Sequence, residues 1–406
     1  MLFKKISKAI FLATISASLS IGGALAIPNL TSVYAESTAK QPNKEVAKMY
    51  RVSHELQFDL KGTWAKLDGK KTSPIKAIVR NNRVFVPLRI LTQSKTAQSI
   101  TWNPKKQEAR IVMKDQLVPT WKDLTFKIGS DSLYGLDYEI IPNKKIPKPV
   151  LSGGLVYIPA SELPMLGISV SAAKGDLTLQ WSEKIIELST KSWETNEGTT
   201  TFTMLYQQEM NQPQVMRSIG NGGWEGGKLG KITGRNIPLD GRLYNRIEFT
   251  EDLKPGINLM QLTAISSDSA TFAVDRRIKD PAAVLLKTSE LGGQDVSFSA
   301  PTQGYIRAKV GEEITIAGTI MRPNPRFNEI TIQVNKYNPE VNGKSTPGFS
   351  TVETKKVPIK DDSFTGSISI KEPGRYRVAI NSPNYLLIAG SGYVSEQWAE
   401  LVVEIP

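Results

Sequence analysis

Residues 83–91 read RVFVPLRIL and residues 155–163 read LVYIPASEL. Each is a β-branched and aromatic run that ends in Val-Pro or Ile-Pro and passes into a short helix-like segment. Pro87 and Pro159 stand 72 residues apart. Proline suits the first turn of a helix, where its missing N–H removes no bond. Each copy continues into a strand pair. The first is SITWNPKKQEARIVM (99–113), with a turn at Asn103-Pro104; the second is ISVSAAKGDLTLQW (168–181), with a turn at Lys174-Gly175-Asp176. One copy is too small to enclose a good core. The repeat therefore predicts a duplicated α+β domain over 51–190 in which the two copies share a core.

Beyond residue 190 the pattern is of strands. In EITIAGTI (313–320), Ile314, Ile316 and Ile320 share a face; so do Ile330, Ile332 and Val334 in EITIQV (329–334), and Tyr376, Val378 and Ile380 in YRVAIN (376–381). A period of two with one apolar face is the pattern of a two-layer antiparallel sandwich. A similar rhythm runs through DLKPGINLMQLTAI (252–265), where Pro255-Gly256 marks a turn before a strand. The expected fold is mainly β with a small α+β module: a duplicated domain over 51–190, a β-sandwich over 191–295 and a C-terminal immunoglobulin-like β-sandwich over 296–406.

The chain opens with a cationic stretch (Lys4, Lys5, Lys8), an apolar run from Ile10 to Ile27 and a small-residue site at Val33-Tyr34-Ala35. This is the plan of a secretory signal peptide over 1–35, with a mature start at Glu36. Residues 36–50 are polar and read as a linker. The absence of cysteine removes disulfides, thiolate metal sites and a lipidated cysteine anchor. No second apolar run has membrane length. Residues 51–190 carry 21 basic and 13 acidic side chains, whereas 191–406 carry 24 of each, so the net charge of +12 is concentrated in the first globular third. Such a field bears on partners and association.

The stretch LDGKKTSPIKAIVRNNRVFVPLRILTQSKTAQSITWNPKKQEARIVM (67–113) resembles the N-terminal stalk domain of the copper amine oxidase family, chiefly at Val86-Pro87-Leu88-Arg89 and Trp102-Asn103. In the second copy Ala160 stands at the place of Leu88, and no Trp follows at the matching place. The resemblance covers about 55–185. It implies a small α+β module of secreted Gram-positive proteins that carries neither copper nor a catalytic residue. His54 is the sole histidine, so the copper chemistry of the oxidase, which needs several imidazoles, is not carried over.

Several short motifs fail as catalytic signals. GGWEGGKLG (222–230) fits part of the P-loop pattern, but Leu229 stands where Ser or Thr must bind magnesium, and no strand–helix context surrounds it. It reads instead as a hairpin or interdomain loop presenting Trp224, whose ring could stack on a sugar. Ser37–Lys40 and Ser171–Lys174 fit S-x-x-K, with SDS (130–132) and KITG (231–234) nearby in pattern, yet none has the order of a serine acyl-enzyme site. The acidic pairs Glu194/Glu197, Asp137/Glu139 and Asp361/Asp362 are candidates for glycoside hydrolysis, which needs two carboxyls across a sugar. His54 reads as a surface or edge-strand residue.

These readings point to a secreted, non-catalytic, wall-associated binding or structural protein, with no cofactor, metal or nucleotide. The expected partner is an anionic wall polymer or another surface polysaccharide, held by Lys61, Lys66, Lys70, Lys71, Lys76, Arg80, Arg83, Lys105, Lys106 and Arg110. The competing reading is an extracellular hydrolase of polysaccharide or peptidoglycan with its site in 191–300.

Overall fold

The computed structural model describes residues 44–114, 117, 122–135, 140–220, 223–264, 269–341, 346–389 and 391–406. The expected leader 1–35, residues 36–43 of the expected linker and the Asp137/Glu139 pair lie outside the described residues.

Two runs of elements follow one order. The first comprises β1 (Lys44–Asp59), β2 (Ala65–Leu67), β3 (Lys70–Lys71), β4 (Ile78–Arg80), β5 (Arg83–Pro87), the short helix α1 (Arg89–Gln93), and the hairpin of β6 (Ala97–Asn103) and β7 (Glu108–Met113). The second comprises β8 (Asp123–Lys127), β9 (Ser132–Tyr134), β10 (Ile140–Lys145), β11 (Val150–Ser152), β12 (Leu155–Pro159), a 3-10 turn over Ala160–Leu166, and the hairpin of β13 (Ser169–Ala173) and β14 (Asp176–Leu188). Strands β5 and β12 pair antiparallel, with Phe85 opposite Pro159, Val86 opposite Ile158 and Pro87 opposite Tyr157. Their flanking strands meet them through matched two-residue turns. Asn81-Asn82 and Gly153-Gly154 all have positive φ, the requirement of a type I′ hairpin.

The runs interlock. Sheet order is β13-β14-β1-β2-β3 on one side and β6-β7-β8-β9-β10 on the other. Each run's leading strands thus extend the hairpin made by the other. Equivalent hydrogen bonds seal both crossings, from Leu60 N to Gly175 O at 3.1 Å and from Ile128 N to Gln107 O at 2.9 Å. Between the sheets lies one core that includes Leu56, Phe58, Val86, Ile111, Phe126 and Ile158. Each such side chain contributes about 1.5–3 kcal/mol when fully buried.

Strand β1 continues beyond this core. Residues 44–50, read from the sequence as linker, form its first half and run parallel to β16 (Thr199–Gln207). Val46 and Met49 are fully buried there. With β16 in the same sheet stand β20 (Arg242–Asp252) and β19 (Lys231–Leu239); facing them is a sheet of order β15 (Ser192–Thr195), β22 (Ala270–Arg276), β21 (Gly256–Thr263), β17 (Gln214–Gly220) and β18 (Gly223–Leu229). The sandwich core joins Val46, Met49 and Ile186 to Phe202, Phe249 and Phe272, with the Phe202 and Phe249 rings stacked at 5.4 Å. The cuts at 50/51 and 190/191 therefore separate strands from cores they fill.

The rest of the chain passes through a 3-10 turn (Pro281–Ala283) and α2 (Glu290–Asp295) into a second sandwich. One sheet has the order β23 (Val296–Ala300), β25 (Glu313–Ile320), β28 (Ser363–Ser369). The other has β24 (Tyr305–Arg307), β32 (Gln397–Ile405), β29 (Gly374–Asn381), β26 (Glu329–Asn338), β27 (Gly348–Pro358). A small hairpin, β30 (Leu386–Ile388) with β31 (Gly392–Val394), stands apart. Ile314, Ile316, Ile330, Ile332, Val378 and Trp398 fill the core. No helix among the described residues is long and apolar enough to cross a membrane.

Candidate functional site

The ten cationic residues singled out from the sequence are all exposed. Backbone pairing brings four of them together two by two. Lys66 stands directly opposite Lys71 across β2 and β3, and Arg80 directly opposite Arg83 across β4 and β5. Like charges in such cross-strand pairs are destabilising. Lys66 also lies over the Trp64 ring, 5.9 Å from its centroid. Lys105 and Lys106 sit on the β6–β7 turn, whose backbone N–H groups donate to Asn103 Oδ1. Arg110 is occupied by a bidentate pair with Asp123. Lys61, Lys71, Lys76, Arg80, Arg83 and Lys105 form no ion pair among the described residues. Seven of the ten cations occupy the β2–β3 hairpin, the β4–β5 hairpin and the β6–β7 turn; Lys61 lies between β1 and β2, Lys76 between β3 and β4, and Arg110 on β7.

Trp224 lies on β18, opposite Ser218 of β17. The glycines around it serve a β-bulge: the register slips between Val215 and Met216, and Gly226 and Gly227 have φ of 100° and 105°, a region open to glycine. A strand, β19, follows them, so a phosphate-binding loop has no helix to lead into. Trp224 packs with Tyr337 and Phe349 of the C-terminal sandwich against Ile257, Leu259 and Ala273. The sequence's Trp-bearing hairpin is thus part of the junction between sandwiches.

That junction is the most elaborate polar region of the described chain. Arg375 Nε lies 3.2 Å from Asp275 Oδ2 and its Nη1 2.6 Å from Glu404 Oε1. Arg277 Nε lies 3.0 Å from Asp275 Oδ2, and the same guanidinium pairs with Glu194 and Glu404. Arg307 Nε and Tyr305 Oη donate to Glu404 Oε2 at 3.0 and 2.7 Å. Burial pushes the Asp275 carboxyl up to about 6, against the opposing pull of Arg277. Burial and the bond to Glu404 push the Tyr305 hydroxyl up as well. Nearby, Arg377 donates to Ile257 O at 2.5 Å and sits 4.5 Å from the Phe349 ring centroid.

Two clefts open beside this seam. One, of about 730 Å³, has a largely apolar wall including Leu253, Val284, Leu285 and Val402. The other, of about 400 Å³, includes Trp224, Gln333, Asn335, Thr351, Gln397 and Glu400. Arg377 and Glu400 line both. Among the described residues, Glu400 is the one carboxylate lining either cleft.

The remaining candidates do not converge. Glu194 is held by Arg277, while Glu197 follows β15 with its N–H bonded to Thr195. Asp361-Asp362 form a turn with φ of 48° and 55°. Ser171, Lys174 and KITG lie on β13, its turn and β19; Ser37–Lys40 lie outside the described residues. His54 Nδ1 donates to Asp68 Oδ2 (2.9 Å), and the ring stacks on Trp181 at 5.5 Å. No group of three metal-ligating side chains occurs among the described residues.

No family model and no curated protein matches the chain. Among solved structures it is similar to trypsin-activated alpha-2-macroglobulin from Escherichia coli, with a TM-score of 0.18 and 8% identity over 89% of this chain and 29% of that one. It is similar also to Escherichia coli alpha-2-macroglobulin activated by porcine elastase, with a TM-score of 0.17 and 8% identity over 90% of this chain and 41% of that one. The chain thus spans less than half the length of either.

Proposed function

We propose that this is an exported, non-catalytic modular protein that attaches to an anionic polymer of the cell wall through its basic N-terminal module. In this reading 51–190 is a duplicated stalk-type domain, and the two sandwiches are immunoglobulin-like. Support for the latter comes from strand order: β17, β21 and β22 share a sheet in the first sandwich, and β26, β29 and β32 share one in the second, as C, F and G do in that fold. The observation that carries the functional reading is the pair of cross-strand register pairings of like charge, Lys66 with Lys71 and Arg80 with Arg83. Unneutralised cations held opposite one another cost stability unless a polyanion neutralises them. Wall phosphodiesters fit that role outside a Gram-positive cell. The single carboxylate in the junction clefts favours binding over glycoside hydrolysis, which takes two.

Because exposed charges are screened over about 8 Å at physiological salt, attachment by this face weakens steeply as salt rises. The test is sedimentation of the full chain with purified walls, with and without teichoic acid, across a salt series. The variant Lys66→Glu, Lys71→Glu, Arg80→Glu, Arg83→Glu is expected to lose the salt-sensitive binding. Unchanged binding by that variant, or equal binding to walls stripped of teichoic acid, defeats the reading.

A further inference from the structure

We propose that the open part of the β27–β26–β29–β32 sheet, ending at Trp224, is a binding groove for a neutral glycan chain bearing hydroxyl and acetamido groups. This goes beyond the wall attachment above and uses a different module.

The groove begins with strand alternation. Ile330, Ile332 and Val334 of β26 point into the core, so Thr331, Gln333 and Asn335 take the opposite face. Register extends that face sideways. Thr331, Gln333 and Asn335 lie opposite Lys356, Thr354 and Thr351 of β27, and opposite Asn381, Ala379 and Arg377 of β29. Ala379 and Asn381 in turn face Glu400 and Gln397 of β32. The result is a continuous field of amides and hydroxyls with a small residue, Ala379, at its centre.

Two hollows occupy the field. The one beside Trp224 measures about 400 Å³. A second, of about 690 Å³, is lined by Arg326, Glu329, Thr331, Lys356 and Asn381 among others. Gln333 lines both, so the two hollows adjoin along the same sheet face. Ligand sites have hollows of this size.

Charge and hydrogen bonding choose the occupant. Arg377 opposes Glu400 in the first hollow, Lys356 is paired with Glu329 in the second, and the remaining cation there, Arg326, lies over the Tyr393 ring at 3.6 Å from its centroid, so the walls offer a polyanion one excess positive charge and no cluster of cations. Gln333 Nε2 donates to Thr351 Oγ1 at 2.8 Å, and Thr351 Oγ1 donates to Asn335 Oδ1 at 2.9 Å. This ladder fixes the amides and leaves the Gln333 carbonyl and the Asn335 N–H groups without a protein partner among the described residues. Acceptor and donor side by side match sugar hydroxyls and acetamido groups, which are both. At the end of the groove the indole of Trp224 supplies an apolar platform for a sugar ring.

The experiment uses the full chain and chitohexaose, a neutral acetamido glycan, followed by calorimetry and tryptophan fluorescence at low salt and at about 1 M salt, where the Debye length is about 3 Å. Saturable binding unchanged by salt is expected. Gln333→Ala with Asn335→Ala, on an exposed face, is expected to weaken it about tenfold or more while leaving the melting temperature unchanged; Trp224→Ala weakens it similarly and Trp224→Phe less. The quadruple Glu variant of the basic module keeps wild-type affinity for chitohexaose even if it loses walls. Absence of saturable binding, wild-type affinity in the Gln333/Asn335 variant, or loss of chitohexaose binding in the quadruple variant each overturns the proposal. The last two outcomes leave the wall-attachment reading to be judged on its own test.

Discussion

Val86 and Ile158, 72 positions apart in the chain, are antiparallel partners at the centre of the first module. Each residue therefore meets its own counterpart in the other copy, and the local two-fold relation passes between them. Phe85 meets Pro159 and Pro87 meets Tyr157 on either side, as such a relation requires. The consequence is that neither copy has a complete sheet: β7 is paired by β8 of the second copy, and β14 by β1 of the first.

A fragment ending at residue 120 keeps the β6–β7 hairpin but loses β8 and β14. An isolated hairpin is marginal in water. Residues 44–120 are expected to show no cooperative thermal transition by circular dichroism, and a sharp transition would break the shared-core account.

The two copies differ where α1 and its 3-10 counterpart end. Gly167 closes the second with φ of 76°, and Lys95 occupies the matching place with φ of 57°. A left-handed residue with a Cβ costs about 1–2 kcal/mol, of which glycine's greater freedom in the unfolded chain returns part. Lys95→Gly is expected to stabilise by about 0.5–1 kcal/mol, and Gly167→Lys to destabilise by a similar amount. Chemical denaturation reads both, and the same sign for the two would contradict the assignment.

Met49 lies N-terminal to the first module yet is fully buried in the core of the first sandwich. Met49→Ala is expected to cost about 2–5 kcal/mol. Hydrogen exchange should place the loss in β16 and β20. Exchange confined to residues 51–190 would show that β1 does not serve the sandwich.

Asp275 gives the junction a pH response. Its carboxyl titrates at about 6 against an ordinary 3.8, so the folded protein holds this proton more tightly than the unfolded chain. Its stabilising contribution is complete below the unfolded value and is lost as pH rises through about 6. Wild type should therefore lose melting temperature between about pH 4 and pH 6 in part through this group, and Asp275→Asn should flatten that slope. Identical slopes for both proteins would refute the role.

Sequence periodicity revealed most of the C-terminal sandwich. The Ile314–Ile320, Ile330–Val334 and Tyr376–Ile380 stripes are buried as the alternation implies, because a half-buried strand writes its environment locally. The turns at Asn103-Pro104, Lys174-Gly175 and Pro255-Gly256 were legible for the same reason. The first half of β1 was not: its Lys and Glu residues alternate irregularly with Val46, Ala47 and Met49, and its pairing with β16 spans more than 150 residues. The site was harder still. Trp224 stood out by composition, but Gln333, Asn335 and Thr351 are ordinary strand polar residues until register sets them side by side. Nothing local connects Asp275 to Arg375 or Glu404; that network exists only because two sandwiches meet.

The unbroken pairing of β1 with β14, from Ala47–Leu188 to Asp59–Asp176, has a mechanical meaning. A pull applied along β1 meets its ladder in shear, so many hydrogen bonds are strained at once and none can peel first. Tension arriving at Lys44 is shared between the N-terminal module and the first sandwich, because β1 pairs with β14 and with β16.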